Sequence, residues 1–226
     1  VWWVDEAGAY KSTAGGGSWS AAAPYGFNTG EPTKIVAHPS VPNTAFVTFS
    51  SYDDVAHVAR TTDLGATWSD VAVNLPDQPV NTIAINPCDT NAWFIGTDTG
   101  VYRSTNGGTN WTVYGTGMPH AIVSDLEAQS SLQKLVAGTF GRGSWEVSMA
   151  STDAPWSETW GPGIVNLTGD FVVPHGCTLT IVPGTTVKAR ANGDATGCGD
   201  VPGLVEIIIL GRLIADGTAL APITFT

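Results

Sequence analysis

The stretch Thr61-Thr62-Asp63-Leu64-Gly65-Ala66-Thr67-Trp68, TTDLGATW, has two relatives in the same chain: STAGGGSW from Ser12 to Trp19 and STNGGTNW from Ser104 to Trp111. A basic residue precedes each copy, at Lys11, Arg60 and Arg103. The flanks repeat as well. KIVAHPSVPNTAFVTFS (34–50) aligns with TIAINPCDTNAWFIGT (82–97), and SDLEAQSSLQKLVAGT (124–139) follows more loosely. Three matched features at a period of roughly 40–50 residues identify a structural repeat.

Each repeat reads as four short strands separated by turn residues, in the second copy 33–38, 44–50, 57–62 and 67–72. Four-stranded units at this period predict propeller blades, with the eight-residue motif in the turn between third and fourth strands. Two blades read as full. The first repeat lacks its inner strand, and the last, 121–149, lacks an outer one. That is fewer than an ordinary closed ring uses. The chain opens inside VWWV and closes inside ITFT, both strand-like, so it is expected to be an internal piece of a longer polypeptide.

The turn chemistry accounts for the motif. A carboxylate at Asp63 can accept backbone N–H bonds and hold a hairpin closed. Gly65 can take the positive φ such a turn needs, and Trp68 can bury its ring against the preceding strand. A lone acid is a poor calcium site. The other copies keep glycine and tryptophan (Gly16 and Trp19, Gly108 and Trp111) but carry Ala14 and Asn106 in place of the acid. The expected role is therefore structural for Ser12, Gly16, Trp19, Thr61, Asp63, Gly65, Thr67, Trp68, Ser104, Asn106, Gly108 and Trp111.

The pattern S/T-x-D-x-G-x-T/S-W resembles the Asp-box of the BNR repeat family, found in sialidases, sortilin-like receptors and xyloglucanase-type propellers. The resemblance covers residues 1–150, and only the second box is complete. It implies glycan or protein recognition. Two enzymatic versions are weighed against the residues. A sialidase-like site needs an arginine cluster, whereas Arg60 and Arg103 precede boxes, Arg190 and Arg212 lie in the second region, and Arg142 stands alone. A xyloglucanase-like site needs two acids across a cleft, of which this chain would hold one at most.

From 151 the texture changes. STDAPWSETWGPG (151–163) reads as a linker without strand pattern, and 164–226 as short apolar strands between small turns. CTLTIVPGTTVKA and GRLIADGTALAPITFT are similar to the opening coils of right-handed parallel β-helices in secreted bacterial proteins. Such coils stack in register and share one core. A β-sandwich is the competing architecture. Either way the fold class is all-β, a partial β-propeller followed by a β-helix-like or sandwich domain. Its composition agrees, with 42% hydrophobic and 13% charged residues, 27 glycines and 14 prolines.

A formal charge of −11 disfavours nucleic acid and anionic membranes as partners. No apolar run approaches the roughly 20 residues that span a bilayer. The low lysine content suits a secreted or cell-surface protein. Of the three cysteines, Cys177 and Cys198 can close a loop of about 20 residues, a bridge that would contribute roughly 3 kcal/mol. Cys88 would then be free or paired elsewhere. His38, His57, His120 and His175 are scattered, with no metal-ligand spacing. No Ser-His-Asp or Cys-His arrangement is legible. Asn192-Gly193-Asp194 and Asp200 read as a surface loop rather than a calcium site. No cofactor is expected.

A ligand face, if present, lies opposite the boxes, on loops 24–28, 51–54, 74–79 and 117–120. Tyr25, Phe27, Tyr52, Asp53 and Asp54 are the binding candidates, because exposed aromatics beside acids suit sugar stacking and hydroxyl bonding. The competing reading makes Asp53-Asp54 a solvated turn and the aromatics a cover for the blade edge. The expected function is a non-catalytic segment that displays loops for glycan or protein binding or for self-assembly. The alternative is part of a propeller glycoside hydrolase whose catalytic residues lie partly outside the chain.

Overall fold

In the computed structural model the described residues are 1–53, 55–72, 74–129, 133–149, 157–173, 177–190, 201 and 203–226. All the regular structure among them is β. The chain divides into two compact units, one formed by Val1–Ala128 with Leu135–Val147, the other by Gln129–Lys134 with Ser148–Thr226.

The first unit is a succession of antiparallel sheets whose strands follow chain order. The first sheet holds β1 (Trp2–Asp5), β2 (Gly8–Lys11) and β3 (Ser20–Ala21). The second holds β4 (Glu31–Ala37), β5 (Ala45–Ser50), β6 (Val58–Thr61) and β7 (Ser69–Asp70). The third holds β8 (Val80–Ile85), β9 (Trp93–Thr97), β10 (Gly100–Ser104) and β11 (Thr112–Tyr114). The fourth holds β12 (Val123–Gln129), β13 (Lys134–Thr139) and β14 (Gly143–Ser148). Two four-stranded meanders flanked by three-stranded ones make the partial propeller that the repeat predicts, with the first sheet lacking its inner strand and the fourth its outer one.

Register aligns the sheets position by position. The basic residue before each eight-residue motif faces an aromatic on the neighbouring strand: Lys11 faces Trp2, Arg60 faces Phe46 and Arg103 faces Phe94. Trp3, Val47 and Ile95 are therefore equivalent, as are Tyr10, Ala59 and Tyr102. Val47 and Ala59 are fully buried, with Val4, Tyr25, Phe27 and Trp68 packed around them. Ile95 is buried with Phe46, Val58 and Trp111. Each sheet thus turns these positions towards the sheet before it, and alternate residues of the strands fill the space between. The innermost strands are tied by Lys34 on β4, whose ammonium donates to Asp125 on β12 (2.5 Å) and to the Thr82 hydroxyl on β8 (3.1 Å). Burial pushes the Asp125 carboxyl up, but its bonds to Lys34, the Leu126 amide and Thr82 outweigh that and leave it below its ordinary value.

Each eight-residue turn joins the third and fourth strands of its own sheet, as the repeat predicts, and the second and third turns also bond to the connection leaving the preceding sheet. The hydroxyl of Thr61 accepts the amides of Asp63 (3.3 Å) and Gly65 (2.8 Å) and donates to the Asp63 carboxylate (2.8 Å). Ser104 repeats this with Asn106 and Gly108, and Ser12 with Ala14 and Gly16. Asp63 accepts the Thr67 amide and the Thr67 hydroxyl. Asn106 accepts the amide of Asn110 with its side-chain oxygen in the same way. The carboxylate is thus one acceptor among several, and the first-position hydroxyl is the hub. Gly65, at φ 73°, is held against the previous sheet; a Cβ there would lie 2.7 Å from that of Ala22. The Trp68 indole donates to the Ala23 carbonyl and Trp111 to the Val71 carbonyl, both in the connection that leaves the preceding sheet. The Lys11 ammonium in turn donates to the Leu64 carbonyl.

The bonds from Thr67, foremost, and from Thr61 hold the Asp63 carboxyl at about 2, below the usual carboxylate range. A depressed folded value stabilises the fold fully above the unfolded value and loses that contribution as pH falls through the folded one. The native protein should therefore lose melting temperature relative to Asp63→Asn as pH falls from roughly 4 to 2, because asparagine has no proton to bind there. Parallel curves over that window would contradict the assignment.

In the second unit every strand pairing among the described residues is parallel. β15 (Ser157–Trp160), β16 (Gly163–Leu167) and β17 (Phe171–Val173) follow one another in different sheets. β18 (Thr178–Ile181), β19 (Thr185–Ala189) and β20 (Ile207–Ile209) then lie beside them in the same order, with Ser157 opposite Thr178, Gly163 opposite Thr185 and Phe171 opposite Ile207. β21 (Arg212–Ala215) and β22 (Thr224–Phe225) begin a third pass beside β18 and β19. Parallel neighbours from successive passes are not the hairpins of an antiparallel sandwich. The inward residues Trp160, Leu167, Val173, Leu179, Ile181 and Val187 form one core.

Two expectations are corrected here. The stretch 151–163 is not strandless: 157–160 form β15, anchored by buried Trp160; residues 151–156 lie outside the described set. A Cys177–Cys198 bridge does not form, because Cys177 is a free, buried thiol packed in the parallel core as a small apolar side chain. Cys88 is the cysteine seen in a disulfide. Cys198 lies outside the described residues.

Candidate functional site

A cavity of about 540 Å³ opens between the β1–β2 turn and the connection from β3 to β4. Glu6, Tyr10, Tyr25, Phe27, Asn28 and Pro32 are among its walls. The connection is held in place from both sides. The Ala23 amide donates to the Gly65 carbonyl, and the Ala56 amide to the Asn28 carbonyl. Tyr25 is fixed edge-on against Phe49 (4.9 Å between ring centres) and Trp68 (5.2 Å), with Phe27 beside it at 6.4 Å.

The Tyr25 hydroxyl is shielded from solvent and has no hydrogen-bond partner among the described residues. Burial, and secondarily the Asp5 carboxylate, push its phenol up to about 12, so it stays a neutral donor. Among the described residues Glu6 is the only ionisable carboxylate in the wall, and neither lysine nor arginine lines it. The site therefore offers aromatic faces, one buried donor and one acid acceptor, with no cation for an anionic group.

Of the binding candidates read from the sequence, the structure brings Tyr25 and Phe27 together in this cavity. Tyr52 and Asp53 do not line it. Tyr52 is exposed, and its hydroxyl donates to Asp98 (2.8 Å), which also accepts from the Asn81 amide (3.0 Å). The bond to Asp98 foremost, with slight burial and the Asp98 and Asp77 charges, raises the Tyr52 phenol. Tyr52 thus fastens the turn of the second sheet to that of the third. Asp53 pairs with Ser51 in its own exposed turn, as the competing reading has it. Asp54 lies outside the described residues.

Loop 74–79 also serves structure: Asn74 exchanges hydrogen bonds with the Trp111 backbone in both directions. In loop 117–120, His120 sits 3.2 Å from the Thr99 carbonyl. Buried His57 places Nε2 3.3 Å from Asp77. Among the described residues no group of three His, Cys, Asp or Glu is placed to hold a metal, and no helix is long and apolar enough to cross a membrane.

Sequence reasoning missed Glu6 and Tyr10. The signal was present, because DEAG at 5–8 joins second to third strand just as SYDD at 51–54 does in the next repeat.

No family model matches the chain, and no curated protein matches it. Solved structures do. A GH74 enzyme from Niastella koreensis superposes with TM-score 0.50 at 15% identity, over 63% of this chain and 24% of that one. The GH74 xyloglucanase from Xanthomonas campestris gives 0.48 at 18% identity, over 63% and 25%. An ancestral GH74 enzyme gives 0.49 at 18% identity, over 63% and 20%. The chain spans about a quarter or less of the length of these enzymes. At this identity the Niastella likeness speaks for the fold, and the fold is that of propeller sheets.

Proposed function

We propose that this chain is a non-catalytic binding segment of a secreted or cell-surface protein, and that it takes an uncharged glycan in the cavity beside Tyr25 and Phe27. The cavity itself carries the reading. Its volume falls in the range of small-ligand sites, and it combines apolar walls with a few convergent polar groups. Sugar C–H faces stack on rings such as Phe27, and a sugar hydroxyl would satisfy the buried Tyr25 donor. Acidic sugars are disfavoured, because Glu6 and the overall negative charge face them without a compensating cation.

Other parts of the chain support the setting. The shared hub, glycine and tryptophan geometry supports Asp-boxes of the BNR kind over residues 1–150. The successive parallel passes support the opening of a parallel β-helix over 164–226, with its first strand inside the 151–163 stretch. A disulfide at Cys88 supports an oxidising, extracellular location.

Titration calorimetry with neutral oligosaccharides, set beside uronate and sialylated ones, tests the proposal. Phe27→Ala and Tyr25→Phe should each weaken binding of a neutral oligosaccharide about tenfold, the order expected from one lost stacking or hydrogen-bonding contact. Failure of every glycan to bind would overturn it. Release of reducing ends by this chain would favour the hydrolase reading instead.

A further inference from the structure

The turn from β4 to β5 has a counterpart between β8 and β9, residue for residue. The His38 amide donates to the Thr44 carbonyl (2.9 Å), and the Asn86 amide to the Ala92 carbonyl (2.9 Å). The Asn43 carbonyl accepts the Leu64 amide (2.9 Å), and the Asn91 carbonyl the Gly107 amide (3.1 Å). Each turn thereby props the eight-residue turn of its own sheet. One side chain closes each turn by accepting amides. Asn86 takes the Cys88 amide on its side-chain oxygen (2.9 Å). His38 takes the amides of Ser40 (3.2 Å) and Val41 (2.9 Å) on Nδ1. A side-chain amide oxygen accepts at any pH, whereas an imidazole nitrogen accepts only while unprotonated.

We propose that His38 is a pH-sensitive latch: protonation of Nδ1 releases the β4–β5 turn and, through Asn43, loosens the eight-residue turn of the second sheet. Accepting at Nδ1 leaves the proton of the neutral ring on Nε2. The imidazolium brings a further N–H against those of Ser40 and Val41, so both bonds are lost together. The ring lies against Phe46 on β5, with 6.1 Å between ring centres. Burial first, and the Arg60 guanidinium on β6 second, hold it below the ordinary histidine value. The other charged groups on the surrounding elements are engaged elsewhere: Lys34 with Asp125, and Asp63 with Thr61 and Thr67. Glu31 sits at the far end of β4, opposite Ser50. Residues 39–50 carry no ionisable side chain. A lowered folded value makes the contribution of His38 complete above the unfolded value of about 6.5 and loses it as pH falls below that. The loosened segment is also where the first sheet is fastened, since the Lys11 ammonium donates to the Leu64 carbonyl and the Ala23 amide to that of Gly65.

Amide hydrogen exchange of the native chain, read by NMR as protection factors at about pH 7 and about pH 5, tests this. Protection at Val41 and Leu64 should fall about fivefold, the order expected when one hydrogen bond of ordinary net strength is lost. Gly107, propped by the asparagine turn, should keep its protection in the same spectra. Asp63, held at about 2, does not titrate in that window. His38→Asn copies Asn86 and leaves the other histidines in place, so it should show no fall at Val41 or Leu64. Nitrogen-15 shifts of the His38 ring give a second reading that needs no variant: Nδ1 should be unprotonated near neutrality and gain its proton below the ordinary histidine value. Unchanged protection at Val41 and Leu64 in the native chain would overturn the proposal. So would a fall shared equally by Gly107 or by His38→Asn, or an Nδ1 already protonated at neutral pH.

Discussion

Replacing Trp111 by alanine should destabilise the first unit by about 3–5 kcal/mol, the range for removing a large buried aromatic. The ring lies in the core shared by the second and third sheets, with Phe46, Val58, Ile83, Ile95 and Trp93. Its indole also occupies the partly buried Val71 carbonyl, which would be left without that donor. The cavity cannot collapse easily. A Cβ on Gly108 would already press into the Trp93 ring, so the turn is packed to contact on that side. Urea unfolding followed by far-ultraviolet circular dichroism measures the loss. A loss under about 1 kcal/mol, the size of a surface substitution, would mean that the tryptophan is not the joint between sheets.

Thr61→Ala addresses the hub of the same turn. Thr61 is buried, and its hydroxyl holds the Gly65 amide in a site without solvent, together with the Asp63 amide and carboxylate. Removing it leaves a buried donor unpaired, at a cost of about 1–3 kcal/mol. Thr61→Ser keeps the oxygen and copies Ser12 and Ser104, so it should restore most of the loss. Side-chain volume alone would make serine nearly as costly as alanine.

The propeller part was legible because repeated turns impose repeated residues. A hairpin that must pass φ 73° at Gly65 and 86° at Gly108 leaves glycine at the same place in each copy, and tryptophan marks the joint. The strand order follows from that period. What stayed hidden is which partner each group chooses. The acid at Asp63 draws the eye, yet the amides that close the turn go mostly to Thr61. Tyr25 and Tyr52 look alike in sequence, but one lines a cavity and the other is spent on Asp98, forty-six residues further along. The cysteines show the same limit. Loop spacing favoured Cys177, whereas the parallel core absorbed it as an apolar side chain. The second region has no repeated turn to set its register, so its short strands alone were compatible with either a coil or a sandwich.

The most direct test of a turn built on hydroxyl, glycine and tryptophan, with the acid dispensable, is the urea midpoint of Thr61→Ala beside that of Asp63→Asn at pH 7. Asparagine at this position reproduces the Asn106 turn, in which the side-chain oxygen accepts the Asn110 amide. The expected result is a midpoint close to native for Asp63→Asn and a clear drop for Thr61→Ala. The reverse order, with the asparagine variant the less stable of the two, would contradict the account and return the turn to its carboxylate.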